Sequence, residues 1–372
     1  MSATPVDVDG SAPLLPCEPS LEALEHALET ILTDATPATK DSLRRLASYR
    51  TGLPFAQLDF PKNKLAAVLV LLHLNPLGEL SVTLTTRSSR LRSHPGETAL
   101  PGGRWEEGDG EGGVWTAYRE AHEEIGLPLP SRESVFHAES SSSSPLPPPP
   151  ASHLLHLTTL PPFTSRTLLV VLPVVALLVK PAATAASTYL PRVLRPNPDE
   201  VAAVFHLPLQ AFLLRASSPP AVPAPASSSP SSDARRRTRS STAPRSAPPP
   251  PPPPGTESLS HSFADFTWLL ERPYRLHSFS SAVPGVTPSA VTGLTADIVV
   301  RCAMVAESGR LGLEEGEGGE GEEEDGKWEG LREPGFEREA EGQLGWEETV
   351  RVALGLEGRQ GLGGRVGAGA GA

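Results

Sequence analysis

Between Arg119 and Leu127 the chain reads Arg-Glu-Ala-His-Glu-Glu-Ile-Gly-Leu. On a helix of about 3.6 residues per turn, Glu120, Glu123 and Glu124 stand at i, i+3 and i+4, so three carboxylates share one face within a single turn. Like charges at that spacing repel by roughly a few tenths of a kcal/mol even when solvated, and Arg119 can pair with only part of the cluster. The arrangement calls for a cation. Carboxylates at this density are hard oxygen ligands suited to Mg²⁺ or Mn²⁺, and an ion held by few protein groups completes its shell with water and substrate phosphate. The face therefore reads as a diphosphate-handling site. Two acids at such a spacing would describe no more than an exposed acidic helix; Arg119, Gly126 and the upstream Gly102-Gly103 pair set this one apart. His122 lies about 100° round the helix from its neighbours and reads as a surface or packing residue.

These residues carry a resemblance. Arg-Glu-x-x-Glu-Glu-x-Gly followed by an apolar residue, with Pro101-Gly102-Gly103 before it, resembles the Nudix box, G-x5-E-x7-R-E-U-x-E-E-x-G-U with U aliphatic. Arg119 to Leu127 match it with Ala121 as the small apolar residue. Counting forward from Gly103 puts Asp109 at the first acidic position, whereas counting back from Arg119 puts Glu111 there, because this loop is two residues longer than the pattern. The resemblance implies Glu120 and Glu124 as primary metal ligands, with Glu123 and Glu111 sharing the ion. It implies Gly103 as a backbone contact in the metal-site loop and Arg119 as a salt-bridging residue. Arg119, Glu120, Glu123 and Glu124 are then the catalytic set.

Upstream, Leu84-Thr85-Thr86-Arg87-Ser88-Ser89-Arg90-Leu91-Arg92-Ser93-His94-Pro95-Gly96-Glu97, running into Leu100-Pro101-Gly102-Gly103, is similar to the signature of coenzyme A diphosphatases within that family. Glu97 stands where the signature has Gln, and Leu100 where it has Phe. Arg87, Arg90, Arg92 and His94, with Gly102 and Gly103, form the expected substrate grip; guanidinium forks suit phosphate groups. Pro196-Asn197-Pro198-Asp199-Glu200-Val201 resembles a segment that in the same group leads into a helix beside the site, which makes Glu200 a candidate base or supporting residue. Gly293-Leu294-Thr295-Ala296-Asp297-Ile298 resembles the group's closing helix, with Thr292 where Trp is usual.

The resemblance implies an α/β/α sandwich with a mixed β-sheet, the box forming a loop-helix-loop. It implies hydrolysis of the diphosphate of coenzyme A or acyl-coenzyme A, dependent on Mg²⁺ or Mn²⁺, to adenosine 3′,5′-bisphosphate and 4′-phosphopantetheine or its acyl form. The alternatives are another nucleoside diphosphate-linked substrate, such as ADP-ribose or NADH, and a catalytically silent binding module. An intracellular location is expected: peroxisome and mitochondrion are the compartments the family suggests, although neither address is visible in the sequence, and the cytoplasm is the alternative.

The elements that must position these groups follow from patterning. Leu21, Leu24, Leu28, Ile31 and Leu32 trace a helical stripe with Ser20 as N-cap, and a second helix is expected from near Asp41 through Leu43 and Leu46. Leu65 to Leu74 is a continuous apolar run and predicts a strand buried on both faces, paired across the turn 75–79 with the alternating stretch Leu80 to Thr86. Ser134 to Ala138 and Leu154 to Leu160 are further strands. Leu168 to Val179 reads as two buried strands meeting at Pro173, too short to cross a bilayer. Tyr274 to Phe279 reads as an edge strand, and a helix is expected from Gly293 to about Val305.

Composition confines the core. Of 372 residues, 42 are Pro and 33 Gly, concentrated in tracts, while 38% are hydrophobic and 5% aromatic. One ordinary domain is left, expected at 20–306 after a flexible 1–19, with low-complexity insertions at about 139–152 and 216–256 and an acidic, disordered tail at 307–372. Within that tail, a short helix is allowed around Trp346 to Leu354. The net charge of −12 argues against a basic nucleic-acid surface. Cys17 and Cys302 are too few to staple the chain or to form a metal knuckle, so a reducing compartment is the default.

Overall fold

In this computed structural model, the residues described are 14–16, 21–50, 60–110, 112–130, 136–138, 154–179, 190, 193–214, 259–281, 283, 285–308 and 339–355. The insertions expected at 139–152 and 216–256 and most of the tail therefore lie outside the described residues, as does Glu111.

Leu65–Leu74 is a strand over the whole apolar run, and its burial explains the composition. Ala66, Val70, Leu72 and Leu74 enter one hydrophobic cluster, while Leu65, Ala67, Leu69 and Leu71 enter another on the opposite face. With a side-chain period of two, a strand covered on both sides has no polar face to keep. In chain order the strands are β1 (Leu14–Pro16), β2 (Leu65–Leu74), β3 (Leu80–Arg87), β4 (Thr98–Ala99), β5 (Gly102–Arg104), β6 (Phe136–Ala138) and β7 (Leu154–Thr159). They continue as β8 (Phe163–Thr164), β9 (Val170–Leu178), β10 (Val201–Pro208), β11 (Leu259–Thr267), β12 (Pro273–Ser281) and β13 (Val291–Thr292). The α-helices are α1 (Leu21–Thr30), α2 (Pro37–Ser48), α3 (Val114–Ile125), α4 (Gly293–Glu307) and α5 (Trp346–Ala353).

The principal sheet runs β10-β3-β2-β9-β7, with β4 beside β3, β5 beside β2 and β8 beside β9. It is mixed: β2 and β9 are parallel, Leu65 opposite Val170 through Leu72 opposite Leu177, and the other pairings are antiparallel. Helices α1, α2 and α4 pack on one face and α3 on the other, so the expected α/β/α sandwich is the observed architecture. A second sheet, β11-β12-β13, packs against α4.

Three local expectations are corrected. Helix α2 starts at Pro37, earlier than Asp41, because Thr36 accepts from the Thr39 N–H as N-cap and Pro37 takes the first helical position, where its missing donor costs nothing. Pro173 does not split its run; β9 passes straight through it. The Pro173 carbonyl accepts from Leu160 N–H, so its absent donor faces the gap between β7 and β8, where no ladder bond is lost. Finally, β12 is the centre of its sheet and β11 the edge. In the acidic tail, α5 is present and docked: Val350 is fully buried, and the Gln343 side chain accepts from the backbone N–H of Arg275 on β12.

Buried imidazoles make stability depend on pH. Burial, then the neighbouring His206, holds His73 down at about 3, and burial, then His277, holds His261 at about 4. Both depart downward from the usual 6.5. Between those values the unfolded chain binds protons that the folded protein refuses, so stability falls as pH drops below about 6.5. At about 1.4 kcal/mol per pKa unit, each group removes on the order of 2 kcal/mol between pH 6.5 and 5. The buried carboxylates of Glu120 and Glu124 act in the opposite direction over that interval, so the imidazole contribution is isolated by His73→Leu, whose melting temperature should rise relative to wild type as pH drops from 6.5 to 5; a difference that does not change with pH would contradict the burial argument.

Candidate active site

Helix α3 forms because Val114, Ala117, Tyr118, Ala121 and Ile125 recur on one face and are all buried against the sheet. Its end is fixed by Gly126 in a left-handed conformation, φ 64°, with Gly126 N–H donating to His122 O and Leu127 N–H to Ala121 O. A Cβ on Gly126 would lie 2.6 Å from Arg195 Cβ, so only glycine allows the segment after 194 to close on the helix end. Arg195 and Asn197 N–H groups donate to Ile125 O and Glu124 O at 2.6 and 2.8 Å. His122, through Nδ1, caps Leu127 O at 2.8 Å, consistent with a packing role.

The edge of that buried face of α3 lies along β5, which belongs to the same sheet. Glu124 accepts from the Gly102 N–H at 3.2 Å, and the Arg87 guanidinium stands 3.9 Å from its other oxygen. Glu120 lies against Gly103, where a Cβ would come within 2.4 Å of the carboxylate. Gly102 is similarly constrained from behind, its hypothetical Cβ 2.4 Å from Ala67 O. Gly103 thus makes room for the Glu120 carboxylate, while Gly102 lets β5 approach β2 closely and offers its N–H to Glu124.

Arg119 is the hub. Its Nε and Nη2 donate to the two oxygens of Asp109 at 2.9 and 3.1 Å, Nη2 also to Arg104 O at 2.9 Å, and Nη1 to Glu123 at 3.1 Å. Glu120 Oε1 lies 3.1 Å from Nη1. Asp109 is 2% exposed and further accepts from Glu106 N–H and Thr116 Oγ1. Burial alone would raise its pKa, but Arg119 and these donors outweigh it and hold the carboxyl below the usual range. Of the two loop carboxylates weighed from the spacing, Asp109 is therefore committed to Arg119, and Trp105 Nε1 donating to Gly110 O at 2.8 Å braces the two-residue-longer loop.

Glu120 and Glu124 both shift in the direction opposite to Asp109. Burial pushes Glu120 up to about 6, opposed by Arg119 and reinforced by Glu123. Burial also pushes Glu124 up to about 7 against the Gly102 N–H and Arg87, with Glu120 and Glu200 adding repulsion. Glu200, missed as a close neighbour by local patterning, is carried there by the Asn197 bond to α3 and by Ser88 N–H donating to Glu200 O at 2.8 Å. Among the described residues no three His, Cys, Asp or Glu converge as a complete cage. Glu123, half exposed, turns to Arg119 rather than to the glycine pair. A buried and a partly buried carboxylate, Glu124 and Glu120, mutually repelling beside Gly102 and Gly103, nonetheless fit a hard divalent ion that takes one or two protein carboxylates and leaves the rest of its shell to water and phosphate.

The cationic loop is only partly gathered. Arg87 reaches Glu124, whereas Arg90 pairs with Asp199 at 2.9 Å and His94 with Glu97 at 2.9 Å; Arg92 is exposed. Leu100 is buried in the core, so its departure from the signature is a packing change, and Thr292 is the N-cap residue of α4. Gly103→Ala tests the cradle: the Glu120 carboxylate can swing aside, so stability should change by less than about 1 kcal/mol. The rise in melting temperature with added Mg²⁺ should nevertheless be lost. A retained Mg²⁺ shift would show that the glycine does not set the carboxylate's place.

Comparison with known proteins follows the same residues. The family model described as the NUDIX domain matches residues 63–221. Nudix hydrolase 15, mitochondrial, of Arabidopsis thaliana is 42% identical over 152 residues, 41% of this chain and 42% of that protein. Peroxisomal coenzyme A diphosphatase ndx-8 of Caenorhabditis elegans is 34% identical over 148 residues, 40% of this chain and 50% of that one. Uncharacterized Nudix hydrolase NudL of Pectobacterium atrosepticum is 34% identical over 170 residues, 45% of this chain and 70% of that protein. The chain spans no more than about half the length of the first two. Among the described residues no helix is long and apolar enough to cross a membrane.

Proposed function

This chain belongs to the Nudix hydrolase family, and from that premise we propose that it hydrolyses the diphosphate bond of coenzyme A or an acyl-coenzyme A. The products are adenosine 3′,5′-bisphosphate and 4′-phosphopantetheine or its acyl form. The observation that carries the reading is the pairing of Glu120 and Glu124 with Gly102-Gly103 beneath the Arg87 loop. Glu120 and Glu124 hold Mg²⁺ or Mn²⁺, with Glu111 and Glu123 as further carboxylates of the set. When bound, the divalent ion neutralises phosphoryl charge and acidifies the attacking water. Arg119 keeps Glu120 and Glu123 in place and does not meet substrate. Glu200, close enough to raise Glu124, takes the proton from the nucleophilic water. Arg87 faces the diphosphate, and Arg90, Arg92 and His94 supply charge for the further phosphate of a coenzyme A-like substrate.

The relatives are named for mitochondrial and peroxisomal locations, and the same two compartments are proposed here. The domain is proposed to be one Nudix unit over 20–306 to which the segment 339–355 is added. Specificity is tested by comparing coenzyme A, dephospho-coenzyme A and ADP-ribose. Coenzyme A should have the highest kcat/KM, and Arg92→Ala should raise KM for it while leaving dephospho-coenzyme A unaffected. Cleavage of ADP-ribose with none of coenzyme A would keep the chemistry and overturn the substrate.

A further inference from the structure

A sheet edge presents backbone groups that can pair with another strand, and most edges of this molecule are protected against that. β10 and β7, the outer strands of the principal sheet, each carry a register shift against their neighbour, between Val201 and Ala203 and between His156 and Thr158. Bulges of this kind twist an edge away from further pairing. β13 is only two residues long.

β11 has no such protection. Its ladder with β12 runs from Leu259 opposite Ser281 to Thr267 opposite Pro273 without a shift, and among the described residues no strand pairs with its other side. The strand reads Leu-Ser-His-Ser-Phe-Ala-Asp-Phe-Thr, with no Lys, Pro or Gly to discourage pairing. Its one carboxylate, Asp265, is engaged through both oxygens by Arg275 on β12, at 2.8 and 2.9 Å. Phe266 is 53% exposed, and Ser260, Ser262 and Ala264, which share its side of the strand, are exposed as well.

Residues 216–256, which precede β11, make a poor occupant of this edge. They contain no Ile, Leu, Phe, Tyr or Trp and are rich in Pro, which cannot donate to a ladder. A second β11 suits it better. Antiparallel pairing centred on Phe263 sets Phe263 against its own copy, Phe266 against Ser260, His261 against Asp265, Ser262 against Ala264 and Leu259 against Thr267, so all nine residues find a partner. The two Asp265 side chains then stand four residues apart along the strands, roughly 14 Å, so the carboxylate never faces its copy. We propose that β11 pairs with β11 of a second copy of this chain across a two-fold axis, giving one continuous sheet of order β13-β12-β11-β11-β12-β13.

Analytical ultracentrifugation of the full chain tests this. The mass should double from 39.3 kDa as concentration rises and fall back on dilution. Ser262→Lys combined with Ala264→Lys sets lysines directly opposite one another in that register, at positions exposed in the single chain. That double variant should dissociate on the order of tenfold more readily than wild type and melt within a few degrees of it. Ser262→Asp with Ala264→Asp should do the same, and mixing the two double variants should restore the dimer, since each lysine then faces an aspartate. Wild type that stays monomeric at every concentration, leaving the edge to 216–256 or to a strand of a different protein, would overturn the proposal. So would a dimer that neither double variant weakens, or a mixture no tighter than its components. No substrate takes part, so the outcome is independent of the hydrolysis reading.

Discussion

Glu124→Gln should lower turnover by on the order of 10³-fold, the scale of removing one group that stabilises transition-state charge, while making the metal-free protein more stable at pH 8. The two effects share one cause. Glu124 is 6% exposed, and burial raises its carboxyl to about 7 from the usual 4.5. Between those values the folded protein binds a proton that the unfolded chain has released, so stability falls as pH rises across the window. At about 1.4 kcal/mol per unit, the ionised side chain costs on the order of 3 kcal/mol above pH 7. Glutamine keeps the shape and the bond from Gly102 N–H but needs no charge. Melting curves in chelator at pH 5 and 8 should therefore separate wild type from variant only at pH 8. Divalent ion should raise wild type and leave the variant where it is. A variant less stable than wild type at pH 8 would mean the carboxylate is satisfied within the fold and is not waiting for a cation.

Arg119→Met is the second large effect. Asp109 has a side chain 3% exposed, and Arg119 holds both of its oxygens. Breaking a buried pair by removing one partner typically costs about 3–5 kcal/mol, because the other charge stays behind. Denaturant unfolding should show a loss of that size, with activity falling as Glu120 and Glu123 lose their shared guanidinium. The double variant with Asp109→Asn should recover part of the stability and little of the activity. If the double variant is no more stable than Arg119→Met, Asp109 is not the charge that Arg119 compensates.

Much of this site was legible from local pattern. The i, i+3, i+4 glutamates and the doubly buried run 65–74 are each written in a few consecutive residues, and the structure places them in those elements. The loop carboxylate was not legible, since fifteen residues separate Gly103 from Arg119 where the pattern has thirteen, and counting from either end assigns a position but not a partner. Only the fold shows that Asp109 turns inward to Arg119. Glu200 was suspected from its segment, yet its approach to Glu124 depends on backbone bonds from Asn197 and Ser88 that join distant stretches. Pro173 misled for a related reason: whether a missing N–H matters depends on which neighbour it faces, and here it faces a gap. The docking of α5 rests on Val350 and Ala353 entering the core and on Gln343 just before it meeting β12 beyond the short β13 ladder, contacts invisible in a Gly/Glu-rich tail.

The central claim is that Glu120 and Glu124, beside Gly102 and Gly103, support cleavage of a coenzyme A diphosphate. Its most direct test is product analysis by mass spectrometry after incubating wild type and Glu124→Gln with coenzyme A and Mg²⁺ or Mn²⁺. Adenosine 3′,5′-bisphosphate and 4′-phosphopantetheine should appear in equal amounts with wild type and at background level with the variant. Folded wild type releasing neither product with either ion, or the variant releasing both at the wild-type rate, would contradict it.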